Sequence, residues 1–234
     1  MMKRFACCML IILAPLTSVY AAGVFGMGIS GGVSGEGGSL GDLARNINIE
    51  MPSVGGSFEE IDVPYLPVLS IEILYSQRSL IIGLGWEYCT SIVMAPEGSV
   101  SGNTITIDYT RFTFPLTIGM AIPLTERTRF YFAGGINVSY IVMQVNQSDP
   151  AVWVTPPYGL SADKHLFTGY VYGFHFKTGA EAVVSRNYSL VFEYTQYMRR
   201  ANKVKDRTET AEIIMGGSDF EITAGIRYNL DLAF

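Results

Sequence analysis

The chain closes on FEITAGIRYNLDLAF, an alternation that runs unbroken from Phe220 to Phe234. Phe220, Ile222, Ala224, Ile226, Tyr228, Leu230, Leu232 and Phe234 share one face, and Glu221, Thr223, Gly225, Arg227, Asn229 and Asp231 take the other. Successive side chains of a β-strand point to opposite sides, so this is a strand with one apolar and one polar face. A soluble sheet seldom needs so long a pattern. A membrane barrel does, because its tilted strands of about 9–11 residues meet lipid outside and a polar lumen inside.

The amino-terminus is compatible with export. Lys3 and Arg4 precede an apolar stretch from Phe5 to Leu16, and Val19-Tyr20-Ala21-Ala22 supplies small residues for cleavage. Residues 1–22 are therefore expected to be a removed signal peptide and 23–234 a single barrel domain. No later window approaches the ~18 uninterrupted apolar residues of a membrane helix. Cys7 and Cys8 leave with the peptide, so Cys89 remains alone, no internal disulfide framework is possible, and a small side chain filling the wall or lumen is expected there. Losing Lys3 and Arg4 lowers the net charge of −5 by two further units, which disfavours nucleic acid as a partner.

Eight segments share the alternation: Gly23–Val33, Leu66–Tyr75, Leu80–Ile92, Thr104–Ile122, Arg129–Val142, Thr168–Val184, Ser189–Met198 and Phe220–Phe234. The fold class read from them is all-β, an eight-stranded antiparallel transmembrane β-barrel. In the fourth segment Ile105, Ile107 and Tyr109 keep one phase, while Phe112, Phe114, Leu116, Ile118 and Met120 keep the other. A β-bulge near Thr110–Arg111 would absorb the slip and help to accommodate Pro115.

Short connections at Gln77–Ser79, Pro123–Thr128 and Ser185–Tyr188 alternate with longer ones at Ser34–Tyr65, Val93–Asn103, Met143–Phe167 and Arg199–Asp219. Short periplasmic turns and long extracellular loops follow this rule, and an even strand count then puts both termini in the periplasm. Aromatic residues fall into two girdles, Tyr75, Phe130, Tyr188, Tyr228 and Phe234 toward the turns and Trp86, Tyr88, Tyr140, Tyr170 and Tyr194 toward the loops.

The alternating last strand with its aromatic carboxy-terminus, the glycine-rich first strand, and the segments YFAGGINVSY, SLVFEYTQY and GIRYNLDLAF together resemble the eight-stranded group of outer-membrane protein W, outer-membrane protein A and opacity proteins. The resemblance implies the outer membrane of a diderm bacterium, outer-membrane lipid as surroundings, and Tyr228, Leu230, Leu232 and Phe234 as the signal read by the barrel-assembly machinery. Similarity to the protein W branch, which carries no extra domain, implies passage of small, mainly hydrophobic solutes. The function expected is thus a narrow channel for such solutes. The alternative is a closed barrel that displays its loops for adhesion, ligand binding or surface stabilisation. A lipid-modifying outer-membrane enzyme ranks third, and no cofactor or metal is expected.

Glu72, Glu87, Lys177, Glu193 and Arg227 fall on inward phases near mid-strand. Neighbouring strands lie ~4.8 Å apart, so Lys177, Glu193 and Arg227 can meet, and buried charges must pair whatever the function. Gly26-Met-Gly28-Ile-Ser-Gly31 matches a dinucleotide fingerprint in letters only, because neither a following helix nor a downstream acid completes it. His165 in a loop and His175 in the lumen lack a local Ser or acid pattern, and His175 reads as a polar filler. Arg199, Arg200, Lys203, Lys205 and Arg207 form a basic loop, read as a solvated face or else as a site for a phosphate-bearing glycolipid or host polyanion. Leu40, Leu43 and Ile47 recur at helical spacing after Ser39, and with Trp153 they outline an apolar mouth for loops, lipid, host ligands or hydrophobic solutes.

Overall fold

A computed structural model of the protein describes residues 23–35, 40–41, 63, 65–95, 105–147, 164–207 and 212–231. Eight strands follow in order: β1 (Val24–Gly35), β2 (Leu66–Gln77), β3 (Leu80–Ala95), β4 (Ile105–Pro123), β5 (Thr128–Gln147), β6 (Lys164–Val183), β7 (Tyr188–Asp206) and β8 (Glu212–Asp231). Each pairs antiparallel with its sequence neighbours, and β1 pairs with β8 to close the ring. Closure requires a stagger. Followed once round the ring, Val24 leads through Ser76, Ile81, Gly119, Ala133, Lys177, Thr195 and Glu221 back to Ser34, ten residues further along β1.

The alternation seen in the sequence becomes an outside and an inside. Met27, Ile29, Ile71, Ile73, Phe114, Ile118, Phe132, Ile136, Phe174, Phe192 and Ile226 are exposed around the outer wall. Such a continuous apolar belt suits lipid and would be unfavourable in water. At its turn-end margin lie the ring pairs Phe25–Tyr75, at 5.3 Å between centroids, and Tyr188–Tyr228, at 5.2 Å. At the loop-end margin lie Tyr140–Tyr170, at 5.0 Å, and Tyr194–Phe220, at 6.3 Å.

Three features depart from the sequence reading. First, β4 carries no bulge: its register against β5 runs unchanged from Ile105 to Pro123. Ile107 and Tyr109 point inward and are buried, in phase with Arg111 and Thr113, so the apparent slip marks a change from polar to apolar lumen and leaves the backbone regular. Pro115 is accommodated differently. The β3–β4 pairing skips Gly85 and Trp86, then resumes in the same register; proline offers no N–H there, and its ring packs where a Gly85 side chain would stand.

Second, the segment from Arg199 to Asp219 is largely strand, because β7 runs to Asp206 and β8 starts at Glu212. The irregularities lie here, between Thr168 and Gly173 on β6 and between Arg199 and Asn202 on β7, with Gly217 opposite at φ 112°. Third, His165 belongs to β6 and not to a loop. Leu232, Phe234, Leu43, Ile47 and Trp153 lie outside the described residues.

The ladder leaves little space at some glycines. A Cβ at Gly135 would strike the Leu116 carbonyl oxygen, whereas one at Gly31 would meet only the Val68 carbonyl oxygen at 3.7 Å. Gly135→Ala should therefore lower the stability of the refolded barrel by about 1–3 kcal/mol in urea unfolding, and Gly31→Ala should leave it nearly unchanged.

Candidate functional site

The barrel interior holds the chain's charged chemistry in two layers. In the layer nearer the turns, Arg227 from β8 donates to Glu181 of β6, to Glu72 of β2 at 2.9 Å and to Glu193 of β7 at 3.4 Å. Lys177 of β6 donates to Glu72 at 3.0 Å and to Glu193 at 3.4 Å, so both carboxylates are shared by two cations. Tyr131 of β5 donates to Glu193, and Arg129 joins Glu181 at 2.8 Å and Ser76 at 3.0 Å. Arg227 is 1% exposed and Glu72, the most exposed of the cluster's five β2, β6, β7 and β8 members, only 7%. At that burial an ion pair survives only through good geometry and further hydrogen bonds, which this cluster has.

Glycine makes the reach possible. A Cβ at Gly26 would meet Arg227 Cδ at 2.8 Å, and one at Gly83 would meet Glu72 Oε1 at 3.1 Å. The glycine-rich start of β1, whose letters mimic a nucleotide fingerprint, is thus part of the seat of the Arg227 side chain.

The second layer lies toward the loops. Arg111 of β4 donates to Glu221 of β8 and stands 3.7 Å from Asp219, which Arg199 of β7 also holds. Arg199 donates to Ser139 at 3.1 Å and its guanidinium lies 4.5 Å from the Tyr197 ring centre. Tyr197 in turn donates to Glu87 at 2.5 Å. Among the described residues the two layers set Arg111, Arg129, Lys177, Arg199 and Arg227 against Glu72, Glu87, Glu181, Glu193, Asp219 and Glu221. The near balance is what a low-dielectric interior demands.

Beyond the second layer the interior turns apolar. Leu66, Val68, Cys89, Ile107, Tyr109, Ile141, Met143, Val145, Phe167, Val171, Val204, Ile213 and Met215 form one buried cluster with Leu40, which reaches in from the first loop segment. At the turn end a smaller cluster of Leu74, Ile81, Ala121, Tyr131 and Ala133 fills the bore. Cys89 lies within the larger cluster and is 1% exposed.

The histidines make separate contacts. His165 Nδ1 is 3.0 Å from Asp206, and its ring stacks on Phe167 at 6.0 Å. His175 Nε2 is 2.9 Å from the Thr117 hydroxyl, a hydroxyl–imidazole pair of the kind nucleophilic catalysis uses. Its Nδ1, however, meets no hydrogen-bonding group among the described residues, Tyr197 covers its face at 5.7 Å, and the ring is 1% exposed. The orienting acid sits on the other histidine, so the two halves of a catalytic set are on different residues.

The structure brings Glu72, Lys177, Glu193 and Arg227 into one cluster and places Glu87 in the neighbouring layer. It divides the basic run: Arg199 is buried on Asp219, whereas Arg200, Lys203, Lys205 and Arg207 are exposed. Of the apolar mouth, Leu40 is described and buried. Of the closing signal, Tyr228 and Leu230 are described, both on the outer wall. Sequence reasoning missed Arg111, Arg199, Tyr131, Tyr197 and Asp219 as interior polar residues. Arg111 could have been found by carrying the inward phase of Thr113 and Thr117 back through Tyr109.

No protein-family model matches the chain, and no curated protein sequence matches it. Among solved structures, a major outer membrane protein from Thermus thermophilus aligns over 90% of this chain and 100% of its own, at a TM-score of 0.53 and 10% identity. Neisserial surface protein A aligns over 89% and 98% of the two chains at 0.49 and 12%, and OprG from Pseudomonas aeruginosa over 90% and 96% at 0.45 and 8%. At such identities the likeness speaks for fold alone, and the fold is that of an outer-membrane β-barrel.

Arg227→Leu leaves Glu181, Glu72 and Glu193 crowded without their shared cation, and should destabilise the refolded barrel by ~3–5 kcal/mol. In double-mutant cycles by urea unfolding, Glu181→Leu should couple to Arg227→Leu more strongly than Glu193→Leu does, because Glu181 makes the closer contact and Glu193 keeps Tyr131 and Lys177. Additive single effects would show that these side chains do not meet.

Proposed function

We propose that the chain is exported, loses residues 1–22, and stands in the outer membrane as a closed barrel whose work is done at its loop end. In this reading the short turns and both termini face the periplasm. Outer-membrane lipid surrounds the wall, and the barrel-assembly machinery reads the closing strand through Tyr228, Leu230, Leu232 and Phe234. The observation that carries the proposal is Arg227, which grips carboxylates of three other strands in the middle of the bore. An ion following that path would first break buried pairs and then enter an apolar cluster that offers it no solvation. Display of the loops for ligand binding, adhesion or surface stabilisation is therefore favoured over a narrow through-channel.

Handling of small hydrophobic solutes is the second reading, and it draws on the same apolar cluster. That cluster would accept an apolar molecule from the loop end, but the two charged layers beneath offer such a molecule no apolar way through. The reading is non-catalytic: a buried His175 with no acid partner among the described residues, on a hydroxyl also enclosed, gives a substrate no approach.

Planar-bilayer recording on the refolded barrel tests this directly. The expected result is no conductance steps above the lipid background, with Arg227→Leu more prone to open. Regular steps from the unaltered chain would overturn the closed reading, and faster uptake of an apolar dye by vesicles carrying it would favour the second.

A further inference from the structure

We propose that the inner face between the two charged layers is a binding site for water, held by Asn137 and His175. Asn137 of β5 is 2% exposed, and neither atom of its side-chain amide meets a hydrogen-bonding group among the described residues. Turning the amide over changes nothing, because donor and acceptor are both affected. The reason lies in its neighbours. In the ladder Asn137 stands between Pro115 of β4 and Gly173 of β6, and neither offers it a polar side chain. His175 lies diagonally across the β5–β6 pair, one step nearer the turns, and the other two corners of that square are Gly135 and Gly173. Diagonal side chains of an antiparallel pair start ~7–8 Å apart. A contact between more distant strands roofs the square: Tyr197 of β7, whose ring covers His175, donates to Glu87 of β3. Followed across the ladder, the rows of Tyr197 and Glu87 meet β5 at Gly135 and Ser139, on either side of Asn137.

Buried polar groups of folded proteins are satisfied by other protein groups or by ordered water. The partner needed here accepts from Asn137 Nδ2, donates to Asn137 Oδ1 and reaches His175 Nδ1. Water does all three in little space, singly or as a pair, and about three hydrogen bonds is its usual number when buried. An ion fits less well. Among the described residues no three His, Cys, Asp or Glu side chains gather as a metal requires, and a cation would leave the amide N–H unanswered. An anion would face the carboxylate of Glu87. With water in place, His175 joins the Thr117 hydroxyl of β4 to the amide of Asn137, so a hydrogen-bonded link passes around Gly135, where the inner face carries no side chain. The inference rests on these groups and not on whether the bore conducts. A conducting bore would shorten the stay of the water and leave its partners in place.

Magnetic cross-relaxation between water and the side-chain amide protons of Asn137, in the refolded and otherwise deuterated barrel, reads the site without any substitution. A rotating-frame cross-peak of direct contact is expected at the Nδ2 protons, and it should persist in Thr117→Val. Its absence overturns the proposal, as does contact of those protons with a polar side chain from elsewhere in the chain. Loss of the cross-peak in Thr117→Val also overturns it, because the signal would then be relayed by an exchanging hydroxyl. The sign of the laboratory-frame cross-peak separates this site from the closed-barrel reading: a long-lived water supports both, and a short-lived one supports the site while counting against closure. In urea unfolding, Asn137→Leu and His175→Phe should be non-additive by about threefold or more in the unfolding equilibrium constant, because the second substitution finds the shared water already lost. Additive effects overturn the link between the two residues. Heat-modifiable electrophoretic mobility checks that each variant is folded.

Discussion

The interaction on which the rest of the architecture depends is the grip of Arg227 on Glu72, Glu181 and Glu193. A barrel of eight strands leaves a bore that side chains can fill, and what fills it decides whether the wall encloses a passage or a core. Here a guanidinium from β8 reaches β2, β6 and β7 at once, with Lys177 sharing two of the same carboxylates. The ladder joins only adjacent strands. The charge layer joins strands that are not adjacent, so it is a cross-brace as well as a plug. Gly26 of β1 and Gly83 of β3 give way to the side chains of this brace.

Interior chemistry changes along the barrel axis, and each change has a physical reason. The charged layers lie in the middle, where their partners can be supplied from the inward phases of strands on every side. Toward the loops the strands outrun the belt, and the inward phase becomes apolar, with Ile107, Tyr109, Ile141, Met143 and Met215 packed together. An apolar inner face there lets the extended ends of β4 to β8 hold one another as a small core. The outer face of the same extension is free to be strongly basic on β7. Inner packing and outer charge are therefore two sides of one element.

Strand existence and facing were legible in the sequence because lipid outside and charge inside give each strand the sharpest contrast that period 2 allows. Glu72, Glu87, Lys177, Glu193 and Arg227 could be placed inward for the same reason. The ends of the strands were not legible. Where inward Ile107 and Tyr109 give way to outward Phe112 and Phe114, the apolar residues change face while the backbone stays in register, and the pattern mimics a bulge. Where Arg200 to Arg207 follow Arg199, charge density mimics a loop. Partnerships across the bore were hidden for a different reason: strand order sets which residues sit side by side, while the contact between Arg227 and Glu72 depends on side-chain reach through space that glycines leave open.

The most direct test of a filled bore uses Cys89, buried in the loop-end cluster and the one cysteine in the chain beyond residue 22. Refolded barrel of residues 23–234 is exposed to a small charged thiol reagent, and the labelling rate is compared with that of the urea-unfolded chain. A filled bore predicts that Cys89 stays unlabelled while folded and reacts fully on unfolding. Labelling of the folded barrel at a rate close to that of the unfolded chain would mean that water and ions reach the interior, and would contradict the account.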